Sequence, residues 1–220
     1  MFGRKSPADS TVVGLIAASL RRDIAFGTLT PGSRLKIEEL RARYSGSAHS
    51  LREALSLLTA EGLVEALAQK GFRVASATEA DLKDITRLRR EVETIGIGWS
   101  LEHGDVEWEG HVVAARHKLS RIEDRLEEAP LEFALDWEAA NKAFHKALIA
   151  ASGSPRLIGF HDRLYDQSSR FRLAALREGR TDFGASRTAH DRILEAVLRR
   201  DREAAVASLT SHITGGLGRS

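Results

Sequence analysis

One asparagine and three histidines in the second half of the chain have the types and spacing to bind a metal ion. Asn141 and His145 are four residues apart, so on a helix both side chains lie on one face. His190 and His212 follow in two later segments of helical periodicity. Imidazole nitrogen and amide oxygen are good ligands for first-row divalent metals. Spacing alone leaves another interpretation open, since the chain has eight histidines and isolated ones on helices are more often structural or surface residues.

A second group of side chains, between positions 41 and 71, has the types that bind nucleic-acid phosphates and base edges. The candidate DNA contacts are Ser47, His49, Ser50, Arg52, Arg41, Arg43, Lys70 and Gly71. At a guanine edge Arg52 would contribute ~1–3 kcal/mol of discrimination. The alternative for Arg52 is a surface salt bridge with Glu53 or Glu38, and solvated lysines and arginines are common.

The elements around this second group predict a winged helix-turn-helix. Residues 34–76 contain two short helical patterns, a tight turn, a helix stop at Gly62 and two short apolar runs. The first predicted element is a helix that is capped by Asp9 or Ser10 and ends at Gly27. A short strand at Arg34-Leu35 follows, and then two helices at about 36–44 and 48–60, the second of them capped by Ser47. Two strands at 63–68 and 72–76 complete the domain. In this fold the second helix of the motif enters the major groove of DNA.

The remainder of the chain has helical periodicity almost throughout. Helices are predicted near 79–102, 105–128, 131–152, 155–178, 184–200 and 201–214. Together these patterns predict a mostly α protein: a winged helix-turn-helix domain with a small β-hairpin wing over residues 1–76, followed by an all-α helical bundle over residues 77–220.

Composition excludes several functional classes. The chain has 220 residues, 42% hydrophobic and 29% charged, and no cysteine, which rules out disulfides, thiolate catalysis and cysteine-type zinc sites. We expect neither a signal peptide nor a membrane span, and therefore a cytoplasmic protein. Residues 1–76 carry 11 basic and 7 acidic side chains, which leaves 22 basic and 24 acidic ones for the rest. A basic first domain suits phosphate binding.

The first domain resembles the DNA-binding domain of the GntR family of bacterial transcription regulators. The matching segments are Pro31-Gly32-Ser33-Arg34-Leu35, Glu39-Leu40, Leu51-Arg52-Glu53-Ala54-Leu55, Leu58, Glu61-Gly62-Leu63-Val64 and Gly71-Phe72-Arg73-Val74. The resemblance implies a homodimer that binds a palindromic operator in double-stranded DNA. Family members often carry Arg in place of Ala48 and Pro or Thr in place of Ser50, so the operator sequence does not transfer from them.

The second domain resembles the FCD effector domain that follows this DNA-binding domain in one GntR subfamily. Asn141, His145, His190 and His212 fall in order on the four positions where that domain binds a metal. The resemblance implies a divalent metal ion, zinc first, with nickel, manganese or iron as alternatives. Because Asn141 replaces an aspartate that is common there, the site is less negative, which weakens metal binding and favours an anionic effector.

The same resemblance implies an effector-binding arginine. Arg89 and Glu93 match an Arg-x-x-x-Glu pattern in which the arginine binds an effector carboxylate, and guanidinium does so in bidentate fashion. Arg172 is a second candidate for this role. The alternative for Arg89 is an ordinary i,i+4 ion pair. His117 and His161 are expected to be structural or surface residues.

Three further segments resemble the CsiR and GlaR type of repressor of glutarate and 4-aminobutyrate catabolism. They are Asp105-Val106-Glu107-Trp108-Glu109, Leu55-Ser56-Leu57-Leu58 and residues 69–76. This resemblance implies a small carboxylate effector, such as the dicarboxylate glutarate.

The main hypothesis is therefore a ligand-responsive transcription regulator, a repressor, with two alternatives. A metal-dependent hydrolase could use the same histidines to activate water, but the chain has no H-E-x-x-H, and the neighbours of His145 are Phe144 and Lys146. The other alternative is an architectural DNA-binding protein whose second domain holds no metal.

Overall fold

The computed structural model describes residues 7–215, apart from the side chains of residues 7–11 and of residue 127. The chain divides between Thr78 and Glu79 into two compact units. We call them the DNA-binding unit and the helical unit, and each is described by itself.

The DNA-binding unit contains three helices and a three-stranded antiparallel sheet. Its elements are α1 Pro7–Ala25, β1 Arg34–Leu35, α2 Ile37–Tyr44, α3 Ala48–Ala60, β2 Val64–Leu67 and β3 Gly71–Val74. The strand order is β1-β3-β2, and Glu65 of β2 faces Arg73 of β3. The winged helix-turn-helix is thus confirmed. Helix α1 begins at Pro7, so the predicted N-cap at Asp9 or Ser10 is wrong, and both wing strands are shorter than predicted.

The turn between α2 and α3 follows from its residues. Helix α2 ends because Ser45 adopts a left-handed conformation, with φ 51°. Ser47 then caps α3, as predicted, by accepting a hydrogen bond from the Ser50 backbone N–H at 3.0 Å. Such a cap satisfies one of the free N–H groups at a helix start and stabilises it by about 1 kcal/mol.

The core of the DNA-binding unit lies between α1 and α3. Leu20 and Ile24 of α1 pack with Leu51, Leu55 and Leu58 of α3, and all five are almost completely buried. Burying each of these side chains contributes about 1.5–3 kcal/mol. The packing therefore buries one face of α3 and leaves the opposite face exposed.

Six helices form the helical unit: α4 Glu79–His103, α5 Val106–Glu128, α6 Ala134–Leu148, α7 Pro155–Arg177, α8 Phe183–Leu198 and α9 Arg202–Gly215. The all-α prediction is confirmed, but α6 is shorter than the predicted 131–152. The backbone N–H groups of Glu132 and Phe133 both donate to the Ala129 carbonyl, which closes a turn before α6. After Leu148 the chain again forms turns, and these end at Gly153, whose φ is +70°.

Packing among these helices builds an interior that holds polar groups. Helix α4 packs against α7 and α9, and α5 packs against α6 and α8. Phe144, Tyr165 and Leu148 are among the large side chains with almost no solvent exposure. Within the described part of the chain, no helix has both the length and the apolar character required to cross a membrane.

Candidate metal centre and DNA-binding surface

Three of the four predicted metal ligands converge inside the helical unit. His145 on α6, His190 on α8 and His212 on α9 offer ring nitrogens that all lie within 4.8 Å of one another. The His212 Nε2 atom is 3.2 Å from the Nε2 atoms of both His145 and His190. Zinc–nitrogen bonds of about 2.0–2.1 Å in a tetrahedral site place two ligand nitrogens about 3.3 Å apart. The two nitrogen separations to His212 therefore fit a shared divalent ion.

Two of these imidazoles are held from behind by buried carboxylates. The Nδ1 atom of His145 lies 2.6 Å from a carboxylate oxygen of Glu93, and the Nδ1 atom of His190 lies 3.1 Å from Glu123. A carboxylate in this position accepts a hydrogen bond from Nδ1–H and leaves the Nε2 lone pair free to bind a metal. This is the usual environment of a metal-binding histidine.

The cluster also favours the neutral imidazoles that metal binding requires. Burial lowers the pKa of His145 to about 4, although the charge of Glu93 opposes the shift. Burial and the neighbouring His190 and His145 hold the pKa of His212 well below its ordinary value. For Glu93, burial alone would raise the pKa, but Arg89 and His145 outweigh it and keep the carboxyl ionised.

Asn141 supplies a buried amide oxygen close to the histidine cluster in sequence. It lies one helical turn before His145 and is 4% exposed. Its Oδ1 atom is buried and has no hydrogen-bond partner among the residues that the structure describes. An unsatisfied buried oxygen costs about 1–3 kcal/mol, and a metal ion would remove that cost. One amide oxygen and three imidazole nitrogens form a chemically sensible ligand set for a first-row divalent metal.

Arg89 forms the i,i+4 ion pair that the sequence left open as an alternative. Its Nε atom donates to Glu93 at 2.9 Å, and both side chains are buried. A second guanidinium nitrogen is 3.4 Å from the Ser168 hydroxyl, and the group stacks 4.5 Å from the centre of the Tyr165 ring. Since Glu93 also contacts His145, Glu93 links Arg89 to the histidine cluster.

The guanidinium group of Arg172 also lies over the ring of Tyr165. It pairs with both carboxylate oxygens of Glu138, donates to the Tyr165 carbonyl at 3.0 Å and lies 4.1 Å from the Tyr165 ring centre. Burial would lower the pKa of Arg172, but the charge of Glu138 outweighs it and raises the pKa. Both predicted effector-binding arginines therefore gather at Tyr165, and each already has a carboxylate partner.

Sequence reasoning missed two polar residues beside the cluster. His161, expected to be structural or on the surface, is 1% exposed, and its Nδ1 atom is 3.5 Å from the Glu93 carboxylate. Its ring centre is 5.5 Å from that of Tyr165, whose buried hydroxyl has no hydrogen-bond partner within the described residues. The signal was present in the spacing of His161, Tyr165, Ser168 and Arg172, which share one face of α7. His117 is exposed, as expected.

In the DNA-binding unit, most of the predicted contact residues lie on the surface. Ser47, His49 and Arg52 at the start of α3 are exposed, whereas Ser50 is half-buried. The hydroxyls of Ser47 and Ser50 are 2.9 Å apart. Glu53, which the sequence offered as a partner for Arg52, lies 3.5 Å from His49 Nε2.

The remaining predicted DNA contacts divide into two groups. Arg41 is exposed on α2, and Lys70 and Gly71 are exposed at the tip of the wing. Gly71 has φ +83°, a conformation that favours glycine in this tight turn. Arg43, in contrast, is paired with Asp23 of α1 at 2.8 Å, so its guanidinium already has a partner within the DNA-binding unit.

Both units match known protein-family models. Residues 14–74 match the model of "Bacterial regulatory proteins, gntR family", and residues 84–215 match the FCD domain. The chain is 38% identical to the HTH-type transcriptional regulator BphR of Paraburkholderia xenovorans (strain LB400), over 99% of this chain and 92% of that protein. It is 35% identical to the HTH-type transcriptional repressor GlaR of Escherichia coli (strain K12), over 88% of this chain and 89% of the repressor.

Solved structures show the same fold. Escherichia coli McbR/YncC matches with a TM-score of 0.73 at 21% identity, covering 92% of this chain and 93% of that one. A GntR regulator from Rhodococcus sp. RHA1 matches with a TM-score of 0.72 at 23% identity, covering 94% of this chain and 96% of that one.

The hydrolase alternative finds no support in these relationships. The chain belongs to the GntR family of bacterial transcription regulators, in the branch with an FCD domain, and it is a regulator rather than an enzyme.

Proposed function

We propose that this regulator is a homodimeric repressor that leaves a palindromic operator when a small carboxylate binds in its metal-containing helical unit. The observation that carries the proposal is the convergence of His145, His190 and His212, with two arginines nearby, inside the FCD domain. The 35% identity to the repressor GlaR supports repression rather than activation. Its place of action would be the cytoplasm, where bacterial operators are accessible.

Operator binding would use the exposed start of α3 in the major groove and the wing beside it. The proposed contacts are Ser47, His49, Ser50, Arg52, Arg41, Arg43, Lys70 and Gly71. Arg52 is exposed on the face of α3 that the core leaves free, which supports a base or phosphate contact. Because phosphate contacts release counterions, operator affinity should fall steeply with salt.

The metal would be a divalent ion held by Asn141, His145, His190 and His212, with zinc the first choice and nickel, manganese or iron as alternatives. All four ligands are neutral, so a bound ion keeps its full positive charge and would attract an anionic ligand as a Lewis acid. The buried Oδ1 atom of Asn141 and the short distances between the Nε2 atoms support this assignment.

The effector would be a small dicarboxylate such as glutarate, with one carboxylate at the metal and the other at Arg89 or Arg172. Both guanidinium groups stack on Tyr165, whose ring centre is 5.6 Å from that of His145. Since Glu93 and Glu138 already pair with them, an incoming carboxylate must share or replace these partners. To act as a switch, the effector must bind one arrangement of the dimer better than the other.

Homodimer formation is supported by an uncovered apolar stripe on α4. Leu88, Ile95 and Trp99 are exposed, with the half-buried Val92 between them, and their spacing places all four on one helix face. Contiguous exposed apolar surface of this kind marks interaction sites. A second copy of α4 would cover it, and a two-fold dimer would explain a palindromic operator.

The experiment is a footprint of the DNA upstream of the regulator's own coding region, with and without glutarate and related dicarboxylates. The proposal expects a protected palindrome that one acid releases, and it expects Arg52→Ala to remove protection. A matched control is Arg87→Ala, which removes one exposed arginine from the helical unit. A dicarboxylate that binds the protein without changing operator affinity would contradict the switch.

A further inference from the structure

We infer that Glu123 and Arg116 of α5 form a positioning pair that orients the metal ligand His190. This inference deepens the proposed function, because it rests on the proposed metal site. Helix α5 contributes none of the four proposed ligands, yet its two buried charged side chains reach the ligand on α8.

The contacts form a continuous path from α5 to the cluster. Glu123 is 2% exposed and uses its two carboxylate oxygens for different partners. One oxygen lies 3.1 Å from His190 Nδ1, and the other accepts from Arg116 Nη1 at 3.0 Å. Arg116 is 3% exposed, and its Nε atom also donates to Asp191 of α8 at 2.9 Å. Each end of the pair is therefore fixed to α8.

Glu123 decides which nitrogen of His190 carries a lone pair. A carboxylate at Nδ1 holds the proton there, so the Nε2 lone pair points at the cluster. Glu93 does the same for His145. Two Nε2 acceptors then face the single Nε2 atom of His212 at 3.2 Å each. One N–H of His212 cannot fully satisfy both acceptors, whereas a metal ion satisfies all three nitrogens.

Arg116 lowers the free-energy cost of burying the Glu123 carboxylate. An ionised carboxylate without a charged partner is costly to bury, and Arg116 supplies that partner through the oxygen that does not face His190. Glu123 thus keeps its negative charge beside a ligand set that is neutral throughout. That charge stabilises a divalent cation at the cluster and offsets the neutrality of Asn141.

The test measures zinc affinity of the full-length protein by competition with a chelator. Glu123→Gln keeps the shape of the side chain but removes its charge, and we expect affinity to fall about 10–100-fold. The matched control is Asp124→Asn on the same helix, since Asp124 also forms an ion pair with α8, to Arg187 at 2.7 Å. For this control we expect affinity within about twofold of the original, because in the described structure its partners are arginines rather than a metal ligand.

A second readout reports on His190 in the absence of metal. Nitrogen-15 NMR of the metal-free protein should show the Nδ1–H tautomer of His190, a mixture of tautomers in Glu123→Gln, and no change in Asp124→Asn. If Glu123→Gln does not fold, Arg116→Lys replaces it. That variant retains a charge but not the geometry, and its zinc affinity should fall by about 10-fold.

Two results would overturn the inference: unchanged zinc affinity and tautomer in the folded Glu123→Gln or Arg116→Lys variant, or equal losses in that variant and in Asp124→Asn. The second result would mean that α5 merely packs on α8. Failure of the original protein to bind zinc would instead refute the proposed metal site. The tautomer measurement would then still decide whether Glu123 orients His190.

Discussion

At the scale of single residues, Asn141 distinguishes the proposed metal centre. Its amide oxygen is neutral, and three neutral imidazoles complete the proposed ligand set. Among the described residues, Glu93 and Glu123 place negative charge beside these ligands, at the Nδ1 atoms of His145 and His190. Such a centre should hold metal less tightly than one with a carboxylate ligand, and it should leave more positive charge for a carboxylate effector.

Asn141→Asp should therefore strengthen zinc binding by about 10-fold or more, because it adds a charged oxygen at the ligand position. The same change should destabilise the metal-free protein, because the new carboxylate is buried without a cation. Chelator competition measures the first effect and thermal unfolding the second. Asn141→Ala is the comparison and should weaken binding. If aspartate and alanine weaken it alike, Asn141 is not a ligand.

Arg52 is the residue on which DNA recognition should depend most. Arg52→Ala should cost ~1–3 kcal/mol of operator binding if the side chain contacts a guanine. Fluorescence anisotropy with operator and scrambled DNA separates the cases: a base contact lowers the preference for the operator, while a phosphate contact lowers both affinities together. Arg87→Ala, in the helical unit, should leave both affinities unchanged.

At the scale of elements, the buried carboxylate of Asp23 on α1 links α1 to α2. The Tyr44 hydroxyl donates to Asp23 at 2.6 Å, and Arg43 pairs with the same oxygen at 2.8 Å. Burial is the main cause that raises the pKa of Tyr44, and the hydrogen bond to Asp23 raises it further. These contacts hold the helix-turn-helix against α1, so Arg43 has a structural task whether or not it also reaches a phosphate.

Tyr44→Phe should lower the free energy of unfolding of the DNA-binding unit by about 1.5–3 kcal/mol, the usual value of a hydrogen bond to a charged group. Denaturant unfolding of the full chain, followed by a probe in this unit, measures the loss. Lys36→Gln breaks an exposed pair with Glu39 and should cost under about 0.5 kcal/mol. A loss of similar size in both variants would show that the Tyr44 contact does not fasten α1.

At the scale of the whole molecule, metal binding should stabilise the helical unit alone. The chain forms two compact units, and the proposed ligands all lie in the second. Without a cation, the single N–H of His212 cannot fully satisfy both the His145 and the His190 Nε2 acceptors, so metal binding should stabilise this unit. Metal binding and folding of this unit are therefore coupled.

Zinc at 100 times its dissociation constant should stabilise the helical unit by about 2.7 kcal/mol, which shifts its melting temperature by on the order of 10 °C. Calorimetry with zinc and with chelator should show this shift in one transition and not in that of the DNA-binding unit. His145→Ala should abolish the shift, and His117→Ala, an exposed histidine, should retain it. A shift that survives in His145→Ala would place the zinc elsewhere.

Local patterns were enough to predict most of the elements. Helical periodicity depends on neighbouring residues, so the six helices of the second unit could be predicted, and the Ser47 cap depends on a contact three residues away. The bounds of α6 were less accurate because turns built on the Ala129 carbonyl compete with the helix start. The four proposed metal ligands came from the resemblance to the FCD domain rather than from spacing.

The sequence by itself determined the family, the fold class and the residue types available for binding, because these depend on local patterns and shared motifs. Tertiary structure alone decided which charges that are distant in sequence meet. Glu123 and His190 are 67 positions apart, and Arg116 and Asp191 are 75 apart, so their contact depends on how α5 packs against α8. The same holds for Arg43 and Asp23, and for the burial of His161. Side chains this distant along the chain interact only after packing has excluded water and fixed their separation.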